Sequence, residues 1–332
     1  MVCLIVGDAN ADLSASLEFF PHEGDDAAIT ALAFQSGGTA ANVAVAYARL
    51  GGASRLVTRV GEDPAAEVAL RAAKRAGVDL SFVQRDADVT TGLCFAAISP
   101  SGERTFFSHR GANVALGLPD VDRVFQDAHA LHVSGHALLD GEQRSTALEL
   151  IDAAIQRQLP VSVDLCLPLV RKRVTEIMKL APRLSVIFAN AHELSLLGSS
   201  LGFTGNESEV IDSALAALAH AGAPLVVAKL GALGSRIAKG SSRFDIPPWP
   251  VTAIDTTGAG DGFVAAFLFV FLREGSVETA ARVANVVGAL VASRSGAAEA
   301  SPTHEEVCAV LEKQGAIKAL DVFTRPDQRI EP

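Results

Sequence analysis

"DTTGAGDGFVAAFLFVFL" occupies residues 255–272: an acidic, glycine-rich loop that runs without a break into apolar residues. The first turn of a helix has N–H groups with no intrahelical partner and carries about half a positive charge, so it binds anions. Glycines let an anion approach those groups closely. Gly258, Ala259 and Gly260 are therefore the expected anion hole, and the helix predicted over Gly260–Arg273 is buried so that the hole stays rigid. Asp261 is out of place for simple anion binding, because a carboxylate in the first turn repels phosphate. It is either a helix cap or a base that takes the proton of a hydroxyl attacking a terminal phosphoryl group. An ordinary Asp, with a pKa of about 3.9, is a poor base toward an alcohol, so on this reading it orients first and accepts the proton late. No G-x-x-x-x-G-K-[ST] loop is present, and the dinucleotide fingerprint fails at its third glycine, which is Phe263.

Outward from this stretch, short β-branched runs alternate with helical patterns. Val2–Val6 precedes Ala40–Leu50, Leu56–Val60 precedes Pro64–Ala76, and Leu131–Val133 precedes Glu142–Gln158. Val161–Asp164 precedes Arg171–Leu180, and Val186–Ala189 precedes Ala191–Leu197. This alternation predicts an α/β fold, a three-layer αβα sandwich around a mostly parallel central sheet. Leu225–Lys229, Ser235–Ala238 and Arg243–Ile246, separated by tight glycine turns, predict an antiparallel far edge. Val277–Ser293 and Thr303–Gln314 are read as closing helices, and Asp321–Pro332 as a loosely attached tail. Segments 11–36 and 89–111 break the rhythm with near-alternating strands, and together they predict a small β-sheet lid.

The composition bounds the chemistry. With 332 residues, the chain exceeds the roughly 250–300 at which single cores stop growing, so a large unit with a smaller appendage is expected. A net charge of −10 without a basic cluster argues against nucleic acid and anionic lipid as partners. Charged residues interrupt the apolar runs well short of the ~20 residues of a membrane span, and no basic leader opens the chain, so a cytoplasmic protein is expected. Cys3, Cys94, Cys166 and Cys308 lie far apart, which suits reduced thiols. His129, His132 and His136 lack carboxylates at ligand spacing, so no metal site is expected there.

"DTTGAGDGFVAAF" (255–267) and "GGTAANVAVAYARLGG" (37–52) resemble the C-terminal and N-terminal signatures of the ribokinase-like sugar kinases, the phosphofructokinase-B type family. The resemblance extends over nearly the whole sequence and implies one kinase domain over 1–332. It implies ATP and Mg²⁺ as cofactors, a small sugar as substrate, Asp261 as catalytic base, and Gly258, Ala259 and Gly260 as the anion hole. "ANAHE" matches an N-x-x-E motif, which implies that Asn190 and Glu193 organise Mg²⁺ through water; read without the resemblance, the same residues are a helix start. "AKLGALGS" implies Lys229, Gly231 and Gly234 beside ATP, with Asn285 near adenine. Asp255 resembles an acidic position beside a monovalent cation, which makes potassium a candidate. "GDANAD" implies Asn10 and Asp12 on the sugar hydroxyls, with Gly37, Gly38 and Asn42 completing that pocket.

Departures from the family bear on the substrate. Thr39 stands where ribokinases proper carry a lysine, Ser134-Gly135-His136 where they carry a glutamate, and Asp164-Leu165-Cys166-Leu167-Pro168 lacks the arginine of keto-acid sugar kinases. In the second lid segment, Arg104 and Arg110 are candidates for a sugar carboxylate or phosphate, with Arg110 assigned to substrate. A homodimer through the lid is expected. The alternatives are a nucleoside kinase of the same family and a non-catalytic nucleotide- or sugar-binding protein; a nicotinamide-dependent oxidoreductase is disfavoured by the glycine placement.

Overall fold

Val2–Val6 (β1) is apolar at every position because both of its faces are covered. Cys3 and Ile5 pack into one core and Leu4 and Val6 into the other, as the two-residue period of a strand dictates. In the computed structural model, which describes residues 1–324 apart from Glu274 and Gln314, β1 is flanked by parallel partners on both sides. The insertion strands are β2 (Asn10–Leu17) and β3 (Ile29–Gly37), and the chain returns to the main sheet as β4 (Ala53–Gly61) and β5 (Val83–Asp86). The second insertion gives β6 (Gly92–Ile98) and β7 (Arg104–His109). The main sheet continues with β8 (Ala128–Ser134), β9 (Val161–Asp164), β10 (Val186–Asn190), β11 (Val226–Lys229), β12 (Ser235–Lys239) and β13 (Ser242–Ile246).

Nine strands run in the order β13-β12-β11-β10-β9-β8-β1-β4-β5, parallel except that β12 and β13 are antiparallel. The α/β sandwich and its antiparallel edge are thus as the alternation predicts. The strand β5, however, lies in a stretch without alternation; it is set by backbone pairing of Thr58 with Val83 through Gly61 with Asp86. A separate four-stranded sheet, β3-β2-β6-β7, forms the lid. Its central seam is the parallel pairing of β2 with β6, so the two insertions make one sheet.

The helices are α1 (Thr39–Arg49), α2 (Pro64–Arg75), the single turn α3 (Val121–Val124), α4 (Gly141–Gln156), α5 (Leu167–Leu180) and α6 (Ala191–Ser200). They continue with α7 (Glu207–His220), α8 (Ala259–Phe271), α9 (Val277–Ala292), α10 (His304–Lys313) and α11 (Ile317–Phe323). Residues of α1, α2, α8 and α9 cover one face of the sheet, and residues of α4, α5, α6 and α7 the other. The tail reading needs correction: Phe323 is fully buried at the end of α11, stacked with His304 and beside Phe269, while residues 325–332 lie outside the described ones.

Helix α8 is apolar all round because α1 and α9 enclose it against the sheet. Its Phe267 meets Phe188 of β10 edge to face at 5.2 Å and stacks on Phe271 at 5.7 Å. Phe267→Ala is expected to cost about 3–5 kcal/mol of stability, read from urea denaturation midpoints, because the buried site cannot collapse onto the void.

Candidate active site

Two glycine loops bring the ends of the chain together at the C-terminal edge of the sheet. Gly38 caps α1 with φ +90°, and a Cβ there would meet Asp8 O at 2.3 Å. Gly258 caps α8 in the left-handed region, φ +75°, with a hypothetical Cβ 2.8 Å from Ala297 Cα. Both positions therefore require glycine. The N–H groups of Gly258, Gly260 and Asp261 find no acceptor among the described residues, as an anion hole demands. Ala259 differs from the expectation: its N–H is engaged by Thr256 O at 3.2 Å, which closes the tight turn.

Asn42, on the first turn of α1, donates its Nδ2–H to Asp261 Oδ2 at 2.7 Å. Burial pushes the Asp261 carboxyl up to about 7 against the pull of that bond, with Asp164 adding to the rise and Lys229 opposing it. This corrects the ordinary value assumed from sequence, and a carboxylate poised near neutrality is a far better base. Asp12 is likewise pushed up to about 7 by burial, helped by Glu299. Its Oδ1 and Asn42 Oδ1 are buried acceptors without partners. Gly37 lies so close that a Cβ would meet the Asp12 carboxyl at 2.1 Å. Asn10, at the start of β2, has its Oδ1 held by Asn113 Nδ2 at 2.9 Å; Asn113, fully buried, also accepts from Ala9 N and Thr58 Oγ1. Nothing local in the sequence marks Asn113; its "GAN" context is only a turn.

On the other side of the hole, Lys229 at the end of β11 donates to both Asp164 oxygens, at 2.6 and 2.7 Å. Its Nζ is 3.4 Å from where a Gly260 Cβ would sit. Burial works against its charge, but Asp164 and Glu193 outweigh that and hold the ammonium above the usual lysine range. Asn190 and Glu193 form a reciprocal capping box on α6, with bonds of 2.9 and 2.7 Å, so the helix-start reading holds structurally. Glu193 is nevertheless buried toward the same cluster and pushed up to about 7 by burial, with Lys229 opposing and Asp164 reinforcing. Three carboxylates thus face one ammonium, a surplus of buried negative charge that suits a divalent cation. Among the described residues no three His, Cys, Asp or Glu side chains converge closely enough to hold a metal directly.

Gly231 and Gly234, φ +57° and +86°, make the turn from β11 to β12, and a Gly234 Cβ would meet Ile246 O at 2.2 Å. Asn285, on α9, donates to Pro247 O at 2.9 Å. Together they fix the Ile246–Pro247 segment beside the turn.

Two predicted sites are placed differently. Arg110 does not face the lid cavity: its guanidinium is taken by Asp8 (3.2 Å), Asp140 (2.7 Å), His136 O and Gln143, so it organises the interior of the core edge. Asp255 accepts Arg104 Nη1 at 2.5 Å and backbone N–H groups of Thr257 and Gly296, so its oxygens are already occupied. Between lid and core lies a cavity of about 260 Å³, lined by Asp12, Gln35, Arg104, Asp255, Thr257 and Gly296 among others.

The profile described as "pfkB family carbohydrate kinase" matches residues 2–304. The ATP-dependent ribose-1-phosphate kinase of Halopiger xanaduensis is 30% identical over 312 residues, 94% of this chain and 98% of that protein. Probable fructokinase-4 of Arabidopsis thaliana is 32% identical over 291 residues, 83% of this chain and 87% of that protein. Among solved structures, fructokinase with bound ATP from Xylella fastidiosa has a TM-score of 0.80 at 26% identity, covering 95% and 99% of the two chains. The ribokinase of Thermotoga maritima, at 24% identity and covering 94% and 99%, shares the fold with a TM-score of 0.81.

The raised Asp261 carboxyl has a thermodynamic sign. A folded pKa of about 7, above the unfolded ~3.9, means that stability is lost as pH rises from about 4 through 7. Asp261→Asn keeps the bond to Asn42 without the buried charge. It is expected to raise the melting temperature by about 3 °C or more at pH 8, with the difference shrinking toward pH 4, by scanning calorimetry.

Proposed function

The chain belongs to the pfkB family of carbohydrate kinases and is a sugar kinase, and we propose that it moves the γ-phosphoryl group of ATP onto a primary hydroxyl of a small sugar, with Asp261 as the base. The hydroxyl oxygen attacks the γ-phosphorus, the bond from that phosphorus to the bridging oxygen of ADP breaks, and the hydroxyl proton passes to Asp261. The observation that carries this reading is the pair of buried, unpartnered acceptors, Asp12 Oδ1 and Asn42 Oδ1, beside a carboxylate raised to about 7. Buried acceptors left without donors are costly, and the vicinal hydroxyl groups of a sugar supply them.

The free N–H groups at the mouth of α8 and the Lys229 ammonium support a role in holding negative charge on the migrating group. When bound, Mg²⁺ would neutralise the phosphate oxygens. Asn190 and Glu193 would hold it through water, while Gly231, Gly234 and Asn285 shape the rim assigned to the nucleotide. Asn10 and the backbone at Gly37 and Gly38 are assigned to the sugar. Closure of the lid over the cavity excludes water and so limits futile ATP hydrolysis.

The lid also carries Ile29, Leu32, Phe34, Phe106 and Phe107, each half or more exposed, which supports pairing of two chains through this sheet. The four thiols are free, and no helix among the described residues is long and apolar enough to cross a membrane. The free thiols support a cytoplasmic enzyme.

ADP release measured across a panel of pentoses, hexoses, sugar phosphates and nucleosides is expected to identify one sugar class that stimulates turnover. With that sugar, Asp261→Asn is expected to lower kcat by at least about 10²-fold with ATP affinity little changed; retained turnover places the base elsewhere. Wild-type kcat is expected to fall below pH ~7 as the buried carboxyl cluster takes up protons. Light scattering at micromolar protein is expected to give twice the chain mass.

A further inference from the structure

Asp255 opens the loop that ends in the anion hole, and its charge is answered from across the molecule. Oδ1 accepts Thr257 N–H at 2.9 Å and Oδ2 accepts Gly296 N–H at 3.1 Å, so one carboxylate staples the loops at 255–258 and 295–297. Those loops touch directly where Gly258 meets Ala297. The remaining direction on Oδ1 is filled by Arg104 Nη1 at 2.5 Å, which also donates to Thr257 Oγ1 at 2.6 Å. The side chains of Arg104 and Asp255 are only 25% and 12% exposed. Burial alone would raise the Asp255 carboxyl, but the guanidinium and the two backbone donors overcome it and hold the group at about 2, fully ionised.

A monovalent cation on Asp255 needs a free carboxylate oxygen and an uncompensated negative charge. Both oxygens already accept hydrogen bonds, Oδ1 two and Oδ2 one, and Arg104 compensates the charge, so the residues present do not fit the potassium site that the resemblance implies. We propose that Arg104 is a built-in replacement for a monovalent cation at Asp255, carried by the lid. It rests on the sugar-kinase reading and deepens it: Arg104 is a positioning residue that acts on the anion hole through Asp255 and Thr257.

The placement of Arg104 has a consequence that an ion would not have. It belongs to β7, an edge strand of the lid, 151 residues from its partner. The charge that steadies the loop therefore arrives only when the lid is seated. An open lid leaves Asp255 unpaired and the loop slack, so the phosphoryl-holding geometry is complete only over an enclosed substrate.

The test compares KCl with choline chloride at equal ionic strength. Wild-type kcat and melting temperature are expected to be the same in both salts. Arg104→Ala removes the guanidinium from a largely buried carboxylate, so kcat is expected to fall by about tenfold or more while KM for ATP stays within about threefold. In that variant the vacated position admits a cation, so KCl, unlike choline chloride, is expected to raise both melting temperature and kcat. Arg104→Lys, which keeps a positive charge, is expected to recover most of the loss and stay indifferent to K⁺. The proposal is overturned if K⁺ raises the kcat or melting temperature of the wild type, if Arg104→Ala keeps wild-type kcat, or if that variant is blind to K⁺. Absence of sugar-dependent turnover in the wild type would instead strike the sugar-kinase reading, and the melting temperatures would still decide the role of Arg104.

Discussion

The hydrogen bond from Asn42 Nδ2 to Asp261 Oδ2 joins residues 219 positions apart, and the organisation of the site depends on it. It exists because α1 and α8 pack against each other and both begin at glycine caps whose conformations other residues adopt only with strain. The bond spends the amide donor of Asn42 on the carboxylate and leaves its amide oxygen buried without a partner. One side chain thereby orients an acid and offers an acceptor to whatever lies beside it. Burial then raises the proton affinity of that acid, a property that neither helix has alone.

Much of this was written locally in the chain. The glycine pairs at 37–38 and around 258–260, the apolar run after them and the N-x-x-E cap each have a short-range physical reason, and each stands where the pattern puts it. Alternation of strand and helix also located most of the sheet, because a strand buried on both faces must be apolar throughout. What was illegible depends on tertiary placement. The proton affinity of Asp261 follows from desolvation among Asp164, Lys229 and Asp12, which come from distant elements. Asn113 acquires its role only once 110–113 folds against Ala9 and Asn10. Arg110, attractive as a substrate ligand from its position in the lid segment, turns inward because Asp8 lies buried beneath it.

The site also divides its charges. Arg104 with Asp255 is a balanced pair that braces backbone, and Arg110 answers the buried Asp8 and the exposed Asp140. Lys229 is different, since Asp164, Glu193 and Asp261 together outnumber it. A protein of net charge −10 that handles polyphosphate needs such local arrangements, because its overall field repels the ligand. The cost of burying three carboxyl groups near one ammonium shows in Asp261 and Glu193, whose proton affinities burial pushes up to about 7.

The parallel seam between β2 and β6 has a consequence for how the chain assembles. Each insertion supplies an antiparallel pair, β2 with β3 and β6 with β7, but the strip between the pairs runs from Asn10 opposite Gly92 to Ser16 opposite Ile98. Contacts of such large sequence separation form slowly, since loop closure must precede any gain from pairing. During synthesis the first hairpin, complete at Gly37, therefore emerges with its inner edge bare and waits until Gly92 before its partner appears. All four strands of the covering sheet are nevertheless made before β1 meets its own parallel partner β8, Val2 opposite Ala128, so the covering sheet cannot count on a finished platform when its seam closes.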